Sequence, residues 1–271
     1  NLWPLGSPGN LNFSLHWTHL RCASVSLPTN TIMKTMTTET LWTRVPTTLI
    51  QLQQNLNYLS DQVCTLIPDE SAQNRWLHLF SILTPDQRDA AGNLYAGLLT
   101  APASVAAHHN YTGGLVVHYL EMLEIAKTFY EVKHPQLPAL PFEPSEVLIG
   151  ILIHDIHKAS FNYKVKQDGT GHEYSTHLSL ELLPKNARSQ QILAEAGIVL
   201  TLQQLNVLHN SEGGYNPERP KQCTPLAKFI YLLDEMSANV YDRIAQNRMY
   251  HYKTSISISG NSVLNPDGLF S

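Results

Sequence analysis

His154 and Asp155 stand side by side near the end of the run Gly-Ile-Leu-Ile-His-Asp-Ile-His-Lys, residues 150–158, with Lys158 one helical turn further on. Ile151, Leu152 and Ile153 mark that run as a buried helix, which has no packing use for an adjacent imidazole and carboxylate. A buried charge without a partner is costly, so the pair asks for a metal, a counter-charge or water. Taken alone, the two residues are equally open to a plain reading, a hydrogen bond between neighbours at a helix end. Four more inward-facing candidates lie elsewhere in the chain: His118, His177, His209 and Asp234. Ligands gathered from different helices are how metal sites in bundle cores are assembled. Imidazole and carboxylate suit Mn, Fe, Ni, Co or Zn, and the lack of thiolates in the set argues against structural zinc. Spacing between separate helices is not diagnostic by itself.

The elements that must position these groups read as helices. From Leu41 the pattern is helical, with Leu49, Leu52, Leu56, Leu59, Val63 and Leu66 at spacings of three and four. Trp76, Leu79, Phe80 and Leu83 predict a second helix. Thr84-Pro85-Asp86 predicts the start of a third, as N-cap, first-position proline and first-turn acid, carrying Leu94, Leu98 and Leu99 and stopping before Pro102. Gly113-Gly114 closes a loop and opens a helix to about Val132. Its stripe Leu115, His118, Met122, Ile125 and Phe129 points His118 inward, either as a satisfied core residue or as a ligand. Pro135 to Pro144 is a connector, after which Ser145 and Glu146 start the central helix. The alternation through 161–174, with Asp168-Gly169, predicts a small β-hairpin or flap beside the site. Ser175 or Thr176 is expected to cap a short helix carrying His177. Residues 186–196 and 201–210 predict two more helices, the second ending at His209-Asn210. After the Ser211 to Pro225 loop, a last long helix is expected from about Leu226 to Tyr250, with Phe229, Ile230, Leu233 and Val240 on its buried face and Asp234 among them. The expected fold is all-α.

Composition narrows the function classes. The chain has 271 residues, ample for a core, with 43% hydrophobic and only 15% charged residues. A formal charge of −4 provides no global basic field of the kind a nucleic-acid binder displays. Cys22, Cys64 and Cys223 are odd in number and far apart, which suits a reducing compartment, and a cytoplasmic location is expected. No stretch approaches the ~20 apolar residues of a membrane span, so no membrane partner is expected. Residues 1–32 lack the charged and apolar regions of a signal peptide. They are expected to be upstream or disordered sequence, with Met33 or Met36 as the start. Residues 33–100 are expected to pack on the core as N-terminal helices, and 252–271 to form a flexible tail. No repeat, phosphate-binding Gly-rich loop, Gly-x-Ser-x-Gly elbow or Cys-x-x-Cys pair is present.

From about Ala101 to Tyr241 the chain resembles an HD-domain metal-dependent phosphohydrolase. His-His-Asn-Tyr-Thr-Gly-Gly-Leu-Val-Val-His-Tyr-Leu-Glu, residues 108–121, is similar to the subgroup holding bacterial 3′–5′ exoribonucleases and related mobile-element HD domains. Residues 150–158 match the family's central motif and Leu-Leu-Asp-Glu-Met-Ser-Ala, residues 232–238, its closing aspartate motif. The resemblance implies an HD helical bundle over 101–251 with the small hairpin or flap inserted near 161–174. It implies one or two divalent ions (Mn, Fe, Ni, Co, Mg or Zn). His118, His154, Asp155 and Asp234 would hold the first, and His177 and His209 a second with Asp155 bridging. His172, close to His177, is an alternative for that position. Lys158 resembles the family lysine that approaches the substrate phosphate.

Several positions depart from the family pattern. His157 stands where glycine is usual, and is expected to pack outside rather than narrow the pocket or touch substrate. His209-Asn210 replaces two consecutive histidines, and Asn239 stands where a positive charge is common. Exoribonuclease relatives have an oligonucleotide-binding domain before the HD domain; residues 41–100 here read as helices, so that domain is expected to be missing.

The expected activity is hydrolysis of a phosphoester in a phosphorylated small molecule, a nucleotide above all, or a nucleic-acid end, by metal-activated water. Asp155 would orient the water and Lys158 would stabilise developing charge. His108 or His109 would bind phosphate or protonate the leaving oxygen, or else be loop histidines facing solvent. Asn110 and Tyr111 would line the pocket, and Lys221 or Arg219 would approach a phosphate. Two alternatives differ in class: a mixed-valent di-iron oxygenase on the same helical core, and a non-catalytic nucleotide-binding module. Oligomeric state is not legible.

Overall fold

The computed structural model describes residues 42–132, 135–136, 138–166, 171–211 and 222–245. The expected leader and tail lie outside these residues, as do Asp168-Gly169, Arg219 and Lys221. Helix α1 (Leu49–Leu66) begins where the Thr48 hydroxyl accepts from the Gln51 N–H and the Gln51 side chain accepts from the Thr48 N–H. That reciprocal box sets the start at Leu49 rather than at Leu41. Helix α2 (Glu70–Leu83) is capped by Asp69, whose carboxylate accepts from the Ser71 and Ala72 N–H groups. The two helices bury Leu56, Leu59, Val63, Trp76, Leu79 and Phe80 in the same apolar cluster as the helices that follow.

Thr84-Pro85-Asp86 starts no helix. The Thr84 hydroxyl donates to the Phe80 carbonyl and closes α2, while the Asp86 carboxylate accepts from the Gly97 N–H and the Thr100 hydroxyl. Asp89 gathers the Ala91 and Asn93 N–H groups, the Asn93 amide and the Tyr95 hydroxyl around Gly92, whose φ of 82° is left-handed. Such local bonds give the backbone an alternative to the helix ladder. The segment folds back as strands β1 (Gln87–Arg88) and β2 (Leu94–Tyr95). The expected hairpin is present as β3 (Tyr163–Val165) and β4 (His172–Tyr174), and Tyr95 of β2 pairs with Lys164. The result is a four-stranded antiparallel sheet in the order β1-β2-β3-β4, the one departure from an all-α bundle among the described residues.

Helix α3 (Gly114–Glu131) is buried on every face from Gly114 to Leu123, and only its last turn emerges, leaving Phe129 exposed instead of in the expected stripe. Helix α4 (Pro144–Asp155) has proline at its first position, and the Glu146 carboxylate accepts from the Glu143 N–H at 2.9 Å. It is the hub. After α5 (Leu178–Leu182) come α6 (Lys185–Glu195), α7 (Leu202–Asn210) and α8 (Pro225–Met236), and α4 packs against α1, α3, α6, α7 and α8. At Gly150 a Cβ would lie 2.8 Å from Ile230 Cγ1, so the glycine is what lets α4 and α8 approach this closely. His177 lies before α5 and is itself the N-cap, in place of Ser175 or Thr176, its Nδ1 accepting from the Ser179 N–H.

The last helix does not run on regularly. After Met236 it widens into a π-helical turn over Ser237–Tyr241, then α9 (Asp242–Ala245); residues beyond 245 lie outside the described set. The wider turn changes which side chains face inward, and Val240, expected to be buried, is exposed. No helix among the described residues is long and apolar enough to cross a membrane.

Candidate metal centre

Four of the expected ligands meet at the end of α4. His154 occupies its last turn, with Nδ1 2.5 Å from the Ile151 carbonyl. A carbonyl only accepts, so Nδ1 carries the proton and Nε2 presents a lone pair. That Nε2 is buried with no hydrogen-bond partner, 3.2 Å from Asp155 Oδ2. His118, from the first half of α3, repeats the arrangement. Its Nδ1 lies 2.9 Å from the Ser237 hydroxyl, which donates onward to Glu121 Oε2 at 2.8 Å, so the imidazole N–H donates to Ser237. His118 Nε2 is likewise buried without a hydrogen bond, 3.2 Å from Asp234 Oδ1 of α8. Nitrogen and oxygen atoms of His118, His154 and Asp155 all lie within 4.8 Å of one another. Two orphaned nitrogens facing two carboxylates are a donor set that could hold a divalent cation.

The electrostatics suit a ligand role at His118, whereas at His154 they draw a proton towards Asp155 that a cation would have to displace. Burial and the neighbouring His109 and His154 hold the His118 pKa well below its usual value, so the ring is neutral. Burial also opposes charge on His154, but the adjacent Asp155 outweighs it and the pKa is raised. Asp155, although buried, is held well below the usual carboxylate range by Lys158 and His154. Lys158 donates to Asp155 Oδ2 at 2.6 Å, and this carboxylate offsets the cost of burying the ammonium and raises its pKa.

The loop histidines divide. His109, with a left-handed φ of 44°, is fully buried, its Nε2 3.3 Å from Glu121 Oε2 and its Nδ1 3.8 Å from Asp242 Oδ1. It is not a solvent-facing loop residue. His108 is half-buried, with its ring 4.8 Å from that of His118, and burial lowers its pKa. Nitrogens of His108, His109 and His118 form a second close group. The π-helical turn serves this network. In an α-helix residues five apart point about 140° away from each other, whereas the i→i+5 bond from the Asp242 N–H to the Ser237 carbonyl goes with Ser237 reaching Glu121 and Asp242 reaching His109.

The remaining candidates are placed elsewhere. His177 stacks on Phe161 with ring centroids 4.4 Å apart and meets Tyr95 edge-on. His209 Nδ1 lies 3.2 Å from the Asn186 amide of α6. Neither belongs to the close groups around His118. Tyr111 donates to the Arg44 carbonyl at 2.7 Å. His157, expected outside, is 4% exposed because the 3₁₀ turn after α4 (Ile156–Ala159) rolls it under α6, against Ser189.

A cleft of about 370 Å³ opens beside the cluster, walled by His108, His157, Lys158, Tyr174, Lys185 and Arg188. Among the described residues the rest of its lining adds no carboxylate. Lys185 and Arg188 were not singled out from the sequence, though three residues apart in a first helical turn they share a face. Glu121 and Ser237 were also missed. Each lies three residues after a candidate ligand on a helix, His118 and Asp234, and an acid inside an apolar stripe was the available signal for Glu121.

Among curated proteins, the chain is 27% identical over 155 residues to dihydroneopterin 2′,3′-cyclic phosphate phosphodiesterase of Methanocaldococcus jannaschii, a match covering 55% of this chain and 57% of that protein. It is 24% identical over 157 residues to the 3′-5′ exoribonuclease YhaM of Bacillus subtilis, covering 55% of this chain and 46% of the relative. Against YhaM of Halalkalibacterium halodurans the identity is 24% over 191 residues, covering 66% and 56%. The resemblance to HD-domain phosphohydrolases holds. The chain spans about half the length of the curated relatives it matches. No family model matches it, and no solved structure does.

Proposed function

We propose that this chain is a divalent-metal-dependent phosphohydrolase that cleaves a phosphoester of a nucleotide or of a nucleic-acid end. One observation carries the reading: His118, His154 and Asp155 converge with Asp234 3.2 Å from His118, and both imidazole Nε2 atoms are buried without hydrogen bonds. The relatives are named for acting on phosphodiesters, one a cyclic phosphate and the others RNA, which favours a diester here too. These four residues are the proposed ligands. A bound ion would supply Lewis acidity towards phosphoryl oxygens and lower the pKa of water. His177 and His209 stand apart from the cluster, so the proposal is for one ion.

The protein's own groups do the rest. The Ile151 carbonyl and Ser237 fix the two rings so that their lone pairs face inward. Asp155 is ionised and positioned to accept a proton or orient a water, and Lys158 holds a full charge at the cleft wall to meet phosphoryl oxygens. His108, neutral and on the same wall, is placed to donate a hydrogen bond to a phosphate oxygen or to accept a proton there.

The test is turnover by metal-stripped protein with Mn restored, against nucleotides, 2′,3′-cyclic nucleotides and labelled single strands. Release of product from at least one supports the reading; no release from any of them, with stoichiometric metal shown bound, overturns it. A second expectation concerns Ser237, which meets the His118 ring on the side away from Nε2 and links it to Glu121. Ser237→Ala should weaken Mn affinity roughly 10–100-fold, the usual effect of losing an outer partner of a ligand. Mn titration followed by electron paramagnetic resonance would check this, and unchanged affinity would remove Ser237 from the site.

A further inference from the structure

We infer that the cleft beside the metal centre holds a second phosphate, so that the substrate is a nucleotide unit bearing another phosphoryl group next to the scissile one. This rests on the phosphohydrolase reading of the neighbouring cluster. Lys158 is committed to Asp155 at 2.6 Å and serves the reacting phosphate. Lys185 and Arg188, from the first turn of α6, add two further cations to the same wall. Asp155 and Asp234 both act on Lys185 through space, although burial prevails and lowers its pKa to about 8. Arg188 has no such compensation, since burial alone acts on it.

Arg188 also has the geometry of a waiting ligand. Its Nη2 donates to Asn162 Oδ1 at 3.2 Å, which fixes the guanidinium plane, while Nε and Nη1 are buried with no hydrogen-bond partner. A buried donor left without an acceptor is costly, and the Nη2 hydrogen not given to Asn162 can pair with that of Nη1 or Nε to meet two phosphate oxygens. Among the described residues no carboxylate lines the cleft, and an anion from outside would complete the site. Tyr174 of β4, 64% exposed, forms an apolar lip where a base can lie.

Two substrate pairs test this and separate a chain end from a small nucleotide: the dinucleotide UpU with and without a 5′-phosphate, and uridine 2′,3′-cyclic phosphate with and without one. In at least one pair the 5′-phosphate should raise kcat/KM roughly 10–100-fold, the worth of hydrogen bonds to a charged group. Arg188→Met should erase that ratio through KM, and Arg188→Lys should restore part of it. Because Arg188→Met also removes buried unsatisfied nitrogens, its Tm should hold or rise, whereas a structural role would lower it. Equal kcat/KM within both pairs, or an Arg188→Met loss that is the same for both members, overturns the subsite. Calorimetric binding of the same four compounds under chelator separates the two readings. Tighter binding of a 5′-phosphorylated member, abolished in Arg188→Met, supports the subsite even if nothing is cleaved and the hydrolase reading falls. Cleavage without any 5′-phosphate preference leaves the hydrolase and removes the subsite.

Discussion

Replacing Asp155 with asparagine is expected to reduce phosphoester hydrolysis by at least ~10³-fold, well beyond the 10–100-fold typical of an outer-shell partner. Asparagine keeps the volume but loses the charge on which three groups depend. Asp155 lies 3.2 Å from His154 Nε2, accepts from Lys158 at 2.6 Å, and belongs to the cluster proposed to hold the ion. The same change should destabilise the fold without metal, because it leaves the Lys158 ammonium buried beside a neutral amide. Breaking a buried ion pair from one side costs about 3–5 kcal/mol, and asparagine's remaining carbonyl acceptor places the expected loss near the lower end. Turnover, metal content by plasma emission and urea unfolding are the measurements. Wild-type turnover with a full complement of metal would end the assignment of Asp155.

Gly114→Ala is the largest expected effect away from the cluster. A Cβ there would lie 2.0 Å from the His109 carbonyl oxygen and 2.9 Å from its carbon. Both are backbone atoms, which cannot rotate aside as a side-chain tip can. The His109 carbonyl is already tied to the Ala103 N–H at 3.2 Å, and the Gly114 N–H to the Tyr111 carbonyl at 2.9 Å. The loop must therefore lift, taking His109 away from Glu121 and Asp242. Overpacking costs about 1–3 kcal/mol and occasionally more; contact with backbone places this case at about 3 kcal/mol. For a domain of this size that is a fall in Tm of roughly 6–12 °C. Gly92→Ala is the control, since Gly92 has a left-handed φ of 82° but nothing within 4 Å of a built Cβ. Its cost should be only the ~1–2 kcal/mol of a left-handed alanine. A smaller Tm loss for Gly114→Ala than for Gly92→Ala would refute the steric account.

Helix positions followed from sequence wherever a long apolar period was present, as in α1, α3 and α4. There the local pattern and the tertiary demand agree. The reading failed at Thr84-Pro85-Asp86, where three helix-start signals were outcompeted by the hydrogen bonds of Asp86 and Asp89 to groups beyond the first turn. It also failed at Val240, because a π-helical turn cannot be anticipated from a period of 3.6. His157 was misplaced for a related reason: α4 gives way to a 3₁₀ turn immediately after Asp155, which changes the direction of the side chains that follow.

The chain by itself determined the chemistry on offer: imidazoles and carboxylates set in apolar helices, without thiolates, with a lysine one turn past the central pair. Those properties are local, since residue type and helical period need no distant partner. Which of the groups share a centre was decided only by packing. His118 and Asp234 are brought together because α3 and α8 both lie against α4, while His177 is held aside by Phe161 and His109 is buried by a loop. The basic wall of Lys185 and Arg188 is likewise a product of where α6 docks. Side chains far apart in sequence meet according to the positions of whole helices, and those follow from burial summed over the entire core rather than from any one stretch of residues.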